Sequence, residues 1–361
     1  MIYPKLFIPG PTHVTPATLK AIGQPQVGHR TAEFSELFHT VVSGLERILS
    51  AHKVFLFSNP ATGVWEAAVR NTVKKGALNL INGAFSAKWH KVTASCGLPC
   101  MALEKEWGQP VLPEDVDGAL KSGDFDVVTL VHNETSTGVM SPLGEIAALV
   151  RDKYPDILLH VDAVSSMAGV EINFDELQLA TCFASVQKAW GLPAGFAVCA
   201  ISEATLERAL TSTNKGYYFD LNVMDKFYAK GQTPTTPSLP HMYGLAHIID
   251  ELDQETAAGR YARHESMADT VHNWALNHGQ ELYAAPGYES KTLTAIRNVQ
   301  GWDIQKIYTE FETAGYRLDR GYGNLKGEVF RISHMGSIRP DDLAEFLAIF
   351  DKILRAEGMT S

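Results

Sequence analysis

The chain has 361 residues, of which 45% are apolar and 20% charged, and its formal net charge is −10. Such a composition fits an ordinary globular protein, long enough to bury a large core and to divide into two units. The acidic balance gives no electrostatic reason to expect a nucleic acid or an anionic membrane as partner, although local basic patches can still serve small anions.

The segment IPGPTHVTP (8–16) is punctuated by Pro9, Gly10, Pro11 and Pro16 and reads as extended or turned. A helix starts near Pro16 and a second covers 31–50. An alternation follows. VFLFS (54–58) reads as a buried strand and 62–73 as a helix; ALNLIN (77–82) is a strand and 84–94 a helix. VVTLVH (127–132) gives the clearest strand, followed by the helix GEIAALVRDKY (144–154), and then by strands at ILLHVD (157–162), 181–186 and GFAVCAI (195–201). Short apolar runs separated by amphipathic helices imply an α/β protein with a mostly parallel sheet covered on both faces. From about residue 240 the texture changes to long helical patterns over 240–278. KTLTAIRN, GWDIQKIYTEFETAG, GEVFRISHMG and DDLAEFLAIFDKILRAEG then suggest a smaller α/β unit. The expected division is 16–250 and 251–361, with 1–15 assigned to join the second unit although as sequence they can pack on either.

The four cysteines, Cys96, Cys100, Cys182 and Cys199, lack zinc-type spacing and are too few for a disulfide framework. The start MIYPKLFIPGPT lacks a basic segment followed by a long apolar stretch, and no apolar run reaches about 18 residues. The expectation is a cytoplasmic enzyme with reduced thiols, no metal and no membrane segment.

In open parallel sheets, ligands gather beyond the carboxyl ends of the strands. That rule selects the loops at 59–63, 82–85, 132–138, 162–166 and 187–193. Two of them carry Asp162, at the end of ILLHVD, and Lys188, in FASVQKAW just past a run that reads as buried. A lysine beside a core is costly unless its charge is paired, lost or used. Once desolvated, it can form a Schiff base with an aldehyde. An acid at a strand end can cap the next turn, or it can hold a buried cationic nitrogen protonated. Together the two residues suggest pyridoxal phosphate, with Lys188 bonded to the cofactor and Asp162 paired with its pyridine nitrogen.

Neighbouring segments carry a family likeness. FIPGPTHVTP (7–16), GHRTAEF (28–34), VHNETSTGVMSPLGEI (131–146), VDAVSSMAGV (161–170), SVQKAWGLPAG (185–195), QTPTTPS (232–238) and FRISHMG (330–336) occur in order over nearly the whole chain. The chain resembles the class V pyridoxal-phosphate aminotransferases, in the branch that contains the phosphoserine and the alanine–glyoxylate (serine–pyruvate) enzymes. The resemblance implies fold type I: a large domain with a mostly parallel seven-stranded sheet, plus a smaller C-terminal domain. It also implies a homodimer with shared active sites, acting on small amino acids and 2-oxo acids.

Carried over by position, Lys188 resembles the Schiff-base lysine and Asp162 the pyridine partner. Val164 covers one ring face; Phe85 stands where the family has an aromatic residue over the other, although a Phe after a strand can also be plain core. Thr135 matches a hydroxyl on the phenolic side and Gln187 a phosphate contact. The start of SNPATGVWEAA (58–68) puts Ala61 and Thr62 at a helix N-terminus suited to phosphate, while an ordinary cap explains the same string. Related chains usually read Ser-Gly-(His or Thr) there. Pro60 lacks an N–H, so Thr62 is expected to carry more of the load. From the neighbouring subunit the resemblance brings Gln232 and Thr235, with Thr233 a near rival.

Arg331 matches the arginine that grips the substrate α-carboxylate, a planar fork on a planar group, and could alternatively be a structural ion-pair partner. His29 and Arg30 resemble the pair with which phosphoserine aminotransferases hold the substrate phosphate from the partner subunit; a helix cap and solvated face is the plainer reading. His334 and Lys326 can add positive charge, whereas Asn324 stands where many relatives are basic. The expected reaction is therefore transamination, with phosphoserine and 2-oxoglutarate as the first expectation and alanine– or serine–glyoxylate (or pyruvate) exchange as the alternative. A cysteine desulfurase is disfavoured because no cysteine falls on an active loop. A nicotinamide dehydrogenase is disfavoured because VFLFSNPATGVW lacks the glycine fingerprint.

Overall fold

Apolar runs without polar alternation must be covered on both sides. The computed structural model, which describes residues 3–359, builds them into a single covered layer. Residues 1, 2, 360 and 361, the outer ends of the segments assigned to the small unit, lie outside the described residues. The main sheet has seven strands in the order Val54–Phe57, Ala197–Ile201, Thr181–Ser185, Leu158–Asp162, Val127–Val131, Ala77–Ile81 and Cys100–Glu104. Ala197–Ile201 runs antiparallel to both neighbours, and the other pairs are parallel.

Side-chain alternation divides each strand between two cores. Leu130, Val161, Cys182, Ala184 and Val198 join the cluster under the helices Ala32–Leu49 and Leu239–Glu255. Val131, Phe183 and Cys199 join Trp65 and Trp89 on the opposite face, under the helices Ala61–Thr72 and Ala84–Ser95. Cys182 and Cys199 are thus strand core; Cys96, at the end of the helix Ala84–Ser95, and Cys100, at the start of the edge strand, are half-buried.

The long helical pattern of 240–278 is two helices, Leu239–Glu255 and Ala257–Asn277, separated at Thr256. Thr256 adopts φ of 65° and its hydroxyl accepts from Gly259 N, so one residue ends the first helix and caps the second. Beyond it, Glu281–Leu282, Leu293–Arg297 and Val329–Ser333 form an antiparallel sheet packed by the helices Ile304–Thr313 and Pro340–Ala356. Its core is aromatic: the Phe346 ring stacks on Phe7 at 4.0 Å and on Phe311 at 4.5 Å. Phe7 belongs to this core because Lys5–Phe7 pairs in parallel with Tyr316–Leu318. The N-terminal segment therefore starts in a separate two-stranded sheet on the aromatic core and then crosses to the loop of Lys188, where Thr12 N donates to Gln187 O at 3.0 Å.

Candidate active site

Asp162 ends the strand Leu158–Asp162, Lys188 follows the adjacent strand Thr181–Ser185, and Asn133–Thr135 follow Val127–Val131 on the other side. The three loops meet at one cavity lined by Pro60, Ala61, Thr62, Trp65, Phe85, Lys88, Asn133, Thr135, Asp162, Val164, Ser185, Gln187 and Lys188. Every site residue expected at the carboxyl ends of the main sheet is therefore brought together.

Each Asp162 oxygen accepts one hydrogen bond and keeps a further acceptor site. Oδ2 accepts from Trp65 Nε1 at 2.6 Å and Oδ1 from Val164 N at 2.8 Å. Burial, only partly offset by these donors, raises its carboxyl to about 7. Trp65 reads in the sequence as a core residue of its helix, and nothing local announces a carboxylate partner 97 positions away. Thr135 Oγ1 shares a 2.5 Å hydrogen bond with Ser165 Oγ, which holds the 132–138 loop against the loop that follows Asp162.

Lys188 is 8% exposed. Burial first, and then the Arg331 guanidinium, lower its amine to about 8, while Asp162, Asp319 and Glu134 pull the other way. The amine donates to Pro9 O. Thr12 Oγ1 donates to Lys188 O at 2.9 Å, so the N-terminal crossover fixes both ends of the lysine. Gly10 is required in this crossover: it has φ of 129°, and a Cβ there would sit 2.7 Å from Lys188 Cδ and Cε. The sequence signal was the Pro/Gly punctuation of 8–16, without any hint of where it lands.

Phe85 is fixed through its backbone. The buried Glu134 carboxylate accepts from Phe85 N at 3.1 Å, Ser86 N at 2.9 Å and Ser136 N at 3.1 Å, as well as from the Ser86 and Ser136 hydroxyls. An anion is thus seated on the first turn of the helix Ala84–Ser95, where unpaired N–H groups and the helix dipole favour it. The Phe85 ring faces the amine, with Lys188 Nζ 5.9 Å from its centroid. Glu134 was missed in the sequence although it immediately precedes Thr135.

At the start of the helix Ala61–Thr72 the expected phosphate cradle is modified. Ala61 N already donates to Ser185 Oγ at 2.6 Å, which leaves Thr62 as the residue of that pair with its N–H and hydroxyl to offer. Nearby polar atoms lack partners: Gln187 Oε1, Asn133 Oδ1 and the Asn59 side-chain amide are buried without a hydrogen bond among the described residues. Buried polar atoms are ordinarily satisfied, so their presence here fits a polar ligand. A buried acid, a buried amine, an aromatic face and a helix start suit the pyridine nitrogen, the aldehyde, the ring and the phosphate of pyridoxal phosphate.

Arg331 approaches from the small sheet. Its Nη1 donates to Thr135 O at 2.7 Å and its Nε to Asp319 Oδ1 at 2.7 Å. One N–H on Nη1 and two on Nη2 remain for an end-on carboxylate. His29, Arg30, Gln232 and Thr235 do not line the Lys188 cavity of their own chain. Arg30 Nη1 instead donates to Thr233 O at 2.8 Å and Nη2 to Pro234 O at 3.4 Å, and its guanidinium lies 5.2 Å from the Phe227 centroid. Thr233 Oγ1 closes the loop onto Thr235 O at 2.8 Å. His334 is buried, with Nε2 on Thr294 Oγ1 and Nδ1 without a partner among the described residues. No group of ligating side chains suited to a metal occurs among the described residues, and no helix there is long and apolar enough to cross a membrane.

This fold and this site define a fold type I pyridoxal-phosphate enzyme, and the aminotransferase class-V family model matches residues 18–321. The chain belongs to that family, and its cofactor is pyridoxal 5′-phosphate. It is 33% identical to an uncharacterized aminotransferase of Methanocaldococcus jannaschii, covering 98% of this chain and 93% of the relative. It is also 33% identical to an L-aspartate–glyoxylate aminotransferase of Paracoccus denitrificans and 31% identical to a serine–glyoxylate aminotransferase of Methylorubrum extorquens, each covering 92% of this chain and 86% of the relative. Among solved structures it superimposes on a subgroup IV aspartate aminotransferase of Thermus thermophilus with a TM-score of 0.89 at 26% identity, covering 97% of this chain and 99% of that one. A phosphoserine aminotransferase of Cytophaga hutchinsonii gives a TM-score of 0.89 at 25% identity, covering 98% and 99%.

Proposed function

We propose that this aminotransferase moves the amino group of a small donor, such as serine, alanine or aspartate, to glyoxylate. The first expectation, phosphoserine with 2-oxoglutarate, gives way to the alternative. The observation that carries this reading is the engagement of Arg30. Its Nη groups donate to loop carbonyls and its guanidinium is laid on Phe227, which ties it to the loop of its own chain and leaves fewer N–H groups for a substrate phosphate. The relatives at 31–33% identity, named as glyoxylate aminotransferases, support the same reading.

When bound, pyridoxal phosphate supplies an electron sink for the charge left after Cα–H cleavage. The chain supplies the rest. Arg331 orients the donor through its carboxylate, using the N–H groups that Asp319 and Thr135 leave available. The Lys188 amine, lowered to about 8, is neutral often enough near pH 8 to take the α-proton and return it on the far side of the donor nitrogen. With the cofactor bound, Asp162 would keep a positive charge on the ring nitrogen; Phe85 and Val164 would hold the ring between them; Thr135, Gln187, Thr62 and Ala61 would bound its edge and phosphate side. We assign Gln232 and Thr235 to the partner's site in a homodimer. Arg30 then acts as the brace that shapes this partner-facing loop, with His29 beside it. The two halves of the reaction share one site, so ping-pong kinetics are expected.

The test is a single-turnover donor panel, in which loss of the visible absorbance of the lysine-bound cofactor is followed with serine, alanine, aspartate and phosphoserine separately. The small donors are expected to exceed phosphoserine in kcat/KM by at least about 100-fold, the discrimination that one unmatched charged group can impose. Phosphoserine reacting as fast as the best of them would refute the assignment.

A further inference from the structure

The loop Arg320–Gly327, RGYGNLKG, carries an aromatic residue in an exposed position beside the site. Tyr322 is 42% exposed, yet its ring is not idle. It stacks on Phe85 with centroids 5.1 Å apart and planes 24° apart, and the Arg331 guanidinium carbon lies 5.6 Å from its centroid. Stacked aromatic pairs and cation–π contacts both favour this placement. The loop is tied to the arginine itself, because Asp319 Oδ1 accepts from Arg331 Nε at 2.7 Å and from Gly321 N at 2.9 Å. Gly321 has φ of 90°, and a Cβ there would run into the carbonyls of Val329 and Leu325, so the turn is confined by its own backbone.

These contacts form a series: Lys188 Nζ lies 5.9 Å from the Phe85 centroid, Phe85 is 5.1 Å from Tyr322, and Tyr322 is 5.6 Å from Arg331. A donor with its nitrogen directed to Lys188 and its carboxylate on Arg331 lies beside that series. With one face of Phe85 given to the cofactor ring and the other stacked on Tyr322, the ring left for the donor's side chain is that of Tyr322, which also covers the Arg331 guanidinium. Phe85 is pinned by Glu134 through its backbone N–H, whereas Tyr322 sits on an exposed loop, so Tyr322 is the member that sets the room available.

We propose that Tyr322 is the specificity-determining residue that limits the length of the donor side chain: its ring closes the space beyond the first one or two side-chain atoms, favouring serine or alanine over longer and branched amino acids. This rests on the transaminase reading and on Arg331 as the carboxylate anchor.

The test measures the donor half-reaction of the cofactor-loaded protein, Tyr322→Ala and Tyr322→Phe with alanine, 2-aminobutyrate, norvaline and leucine. Tyr322→Ala is expected to raise the norvaline-to-alanine ratio of kcat/KM at least about tenfold, the lower end of what a methylene is worth in a fitted pocket. Tyr322→Phe should keep the wild-type ratio, because the ring and not the hydroxyl does the excluding. An unchanged ratio in Tyr322→Ala overturns the proposal. So does an equal fall for every donor accompanied by weaker cofactor binding, which would make Tyr322 only a support for Phe85. A wild-type protein that converts none of these donors would instead defeat the small-donor reading. The Tyr322 comparison can then be repeated with a size series built on whichever donor does react.

Discussion

Lys188→Ala is expected to abolish the visible absorbance of the bound cofactor and to reduce transamination at least about 10⁴-fold, the combined loss of a covalent anchor and a general base. The fold should survive the change. The packing lost is confined to the lysine's own buried stem, a local cost. Removal of the lysine also takes away an amine that burial and Arg331 disfavour in charged form. Gly10 and Pro9, which lie against the side chain, would face a small void and lose one donor. The comparison to make is absorbance and thermal unfolding on the same sample. Retained visible absorbance with a normal melting curve would show that another amine carries the cofactor.

Asp162→Asn is the second large effect. The neutral amide removes the charge that holds the ring nitrogen protonated, and turnover is expected to fall by about 10²–10³, the scale of losing one preorganised electrostatic contact. Cofactor is still captured, because Lys188 is intact. The amide also cannot accept from both Trp65 Nε1 and Val164 N through two oxygens, so part of the loss is positional. A pH signature separates the charge effect. In the cofactor-free protein burial raises Asp162 from 3.8 to about 7, so the folded state binds that proton more tightly than the unfolded chain. The stability contributed by this group is complete below the unfolded value and disappears as pH rises through about 7. The cofactor-free wild type should therefore lose stability relative to Asp162→Asn between pH 4 and pH 7, and the difference should shrink once a cationic ring nitrogen is bound. Parallel stability curves for the two proteins over that range would contradict the buried-acid account.

The readability of the sequence follows the reach of each interaction. The central strands were legible because Val127–Val131, Leu158–Asp162 and Thr181–Ser185 are buried on both faces and so are largely apolar without strict alternation. The edge strand Cys100–Glu104 carries a weaker signal, being only half-buried with a single neighbour. Lys188 and Asp162 were legible as polar residues at the ends of such runs. Their supports were not. Trp65 looks like helix core until its indole is seen on Asp162, Glu134 is an unremarked acid until three backbone N–H groups point at it, and Pro9–Gly10 reaches Lys188 across 179 positions. Arg30 is a residue whose role its neighbours in sequence do not decide. Its type matches a phosphate clamp, but which of its N–H groups are engaged depends on a loop about 200 residues away, where the Thr233 and Pro234 carbonyls accept from it. Likewise the single-residue break at Thr256 depends on a backbone angle that helical periodicity does not register.

The most direct test of the account is product formation in full turnover. The cofactor-loaded protein is supplied with serine or alanine and with equal glyoxylate and 2-oxoglutarate in competition, and glycine and glutamate are quantified. Glycine as the dominant product, formed with ping-pong kinetics, is the predicted result. Glutamate in excess, or glutamate formed only when phosphoserine is the donor, would contradict the glyoxylate assignment and return Arg30 to the substrate.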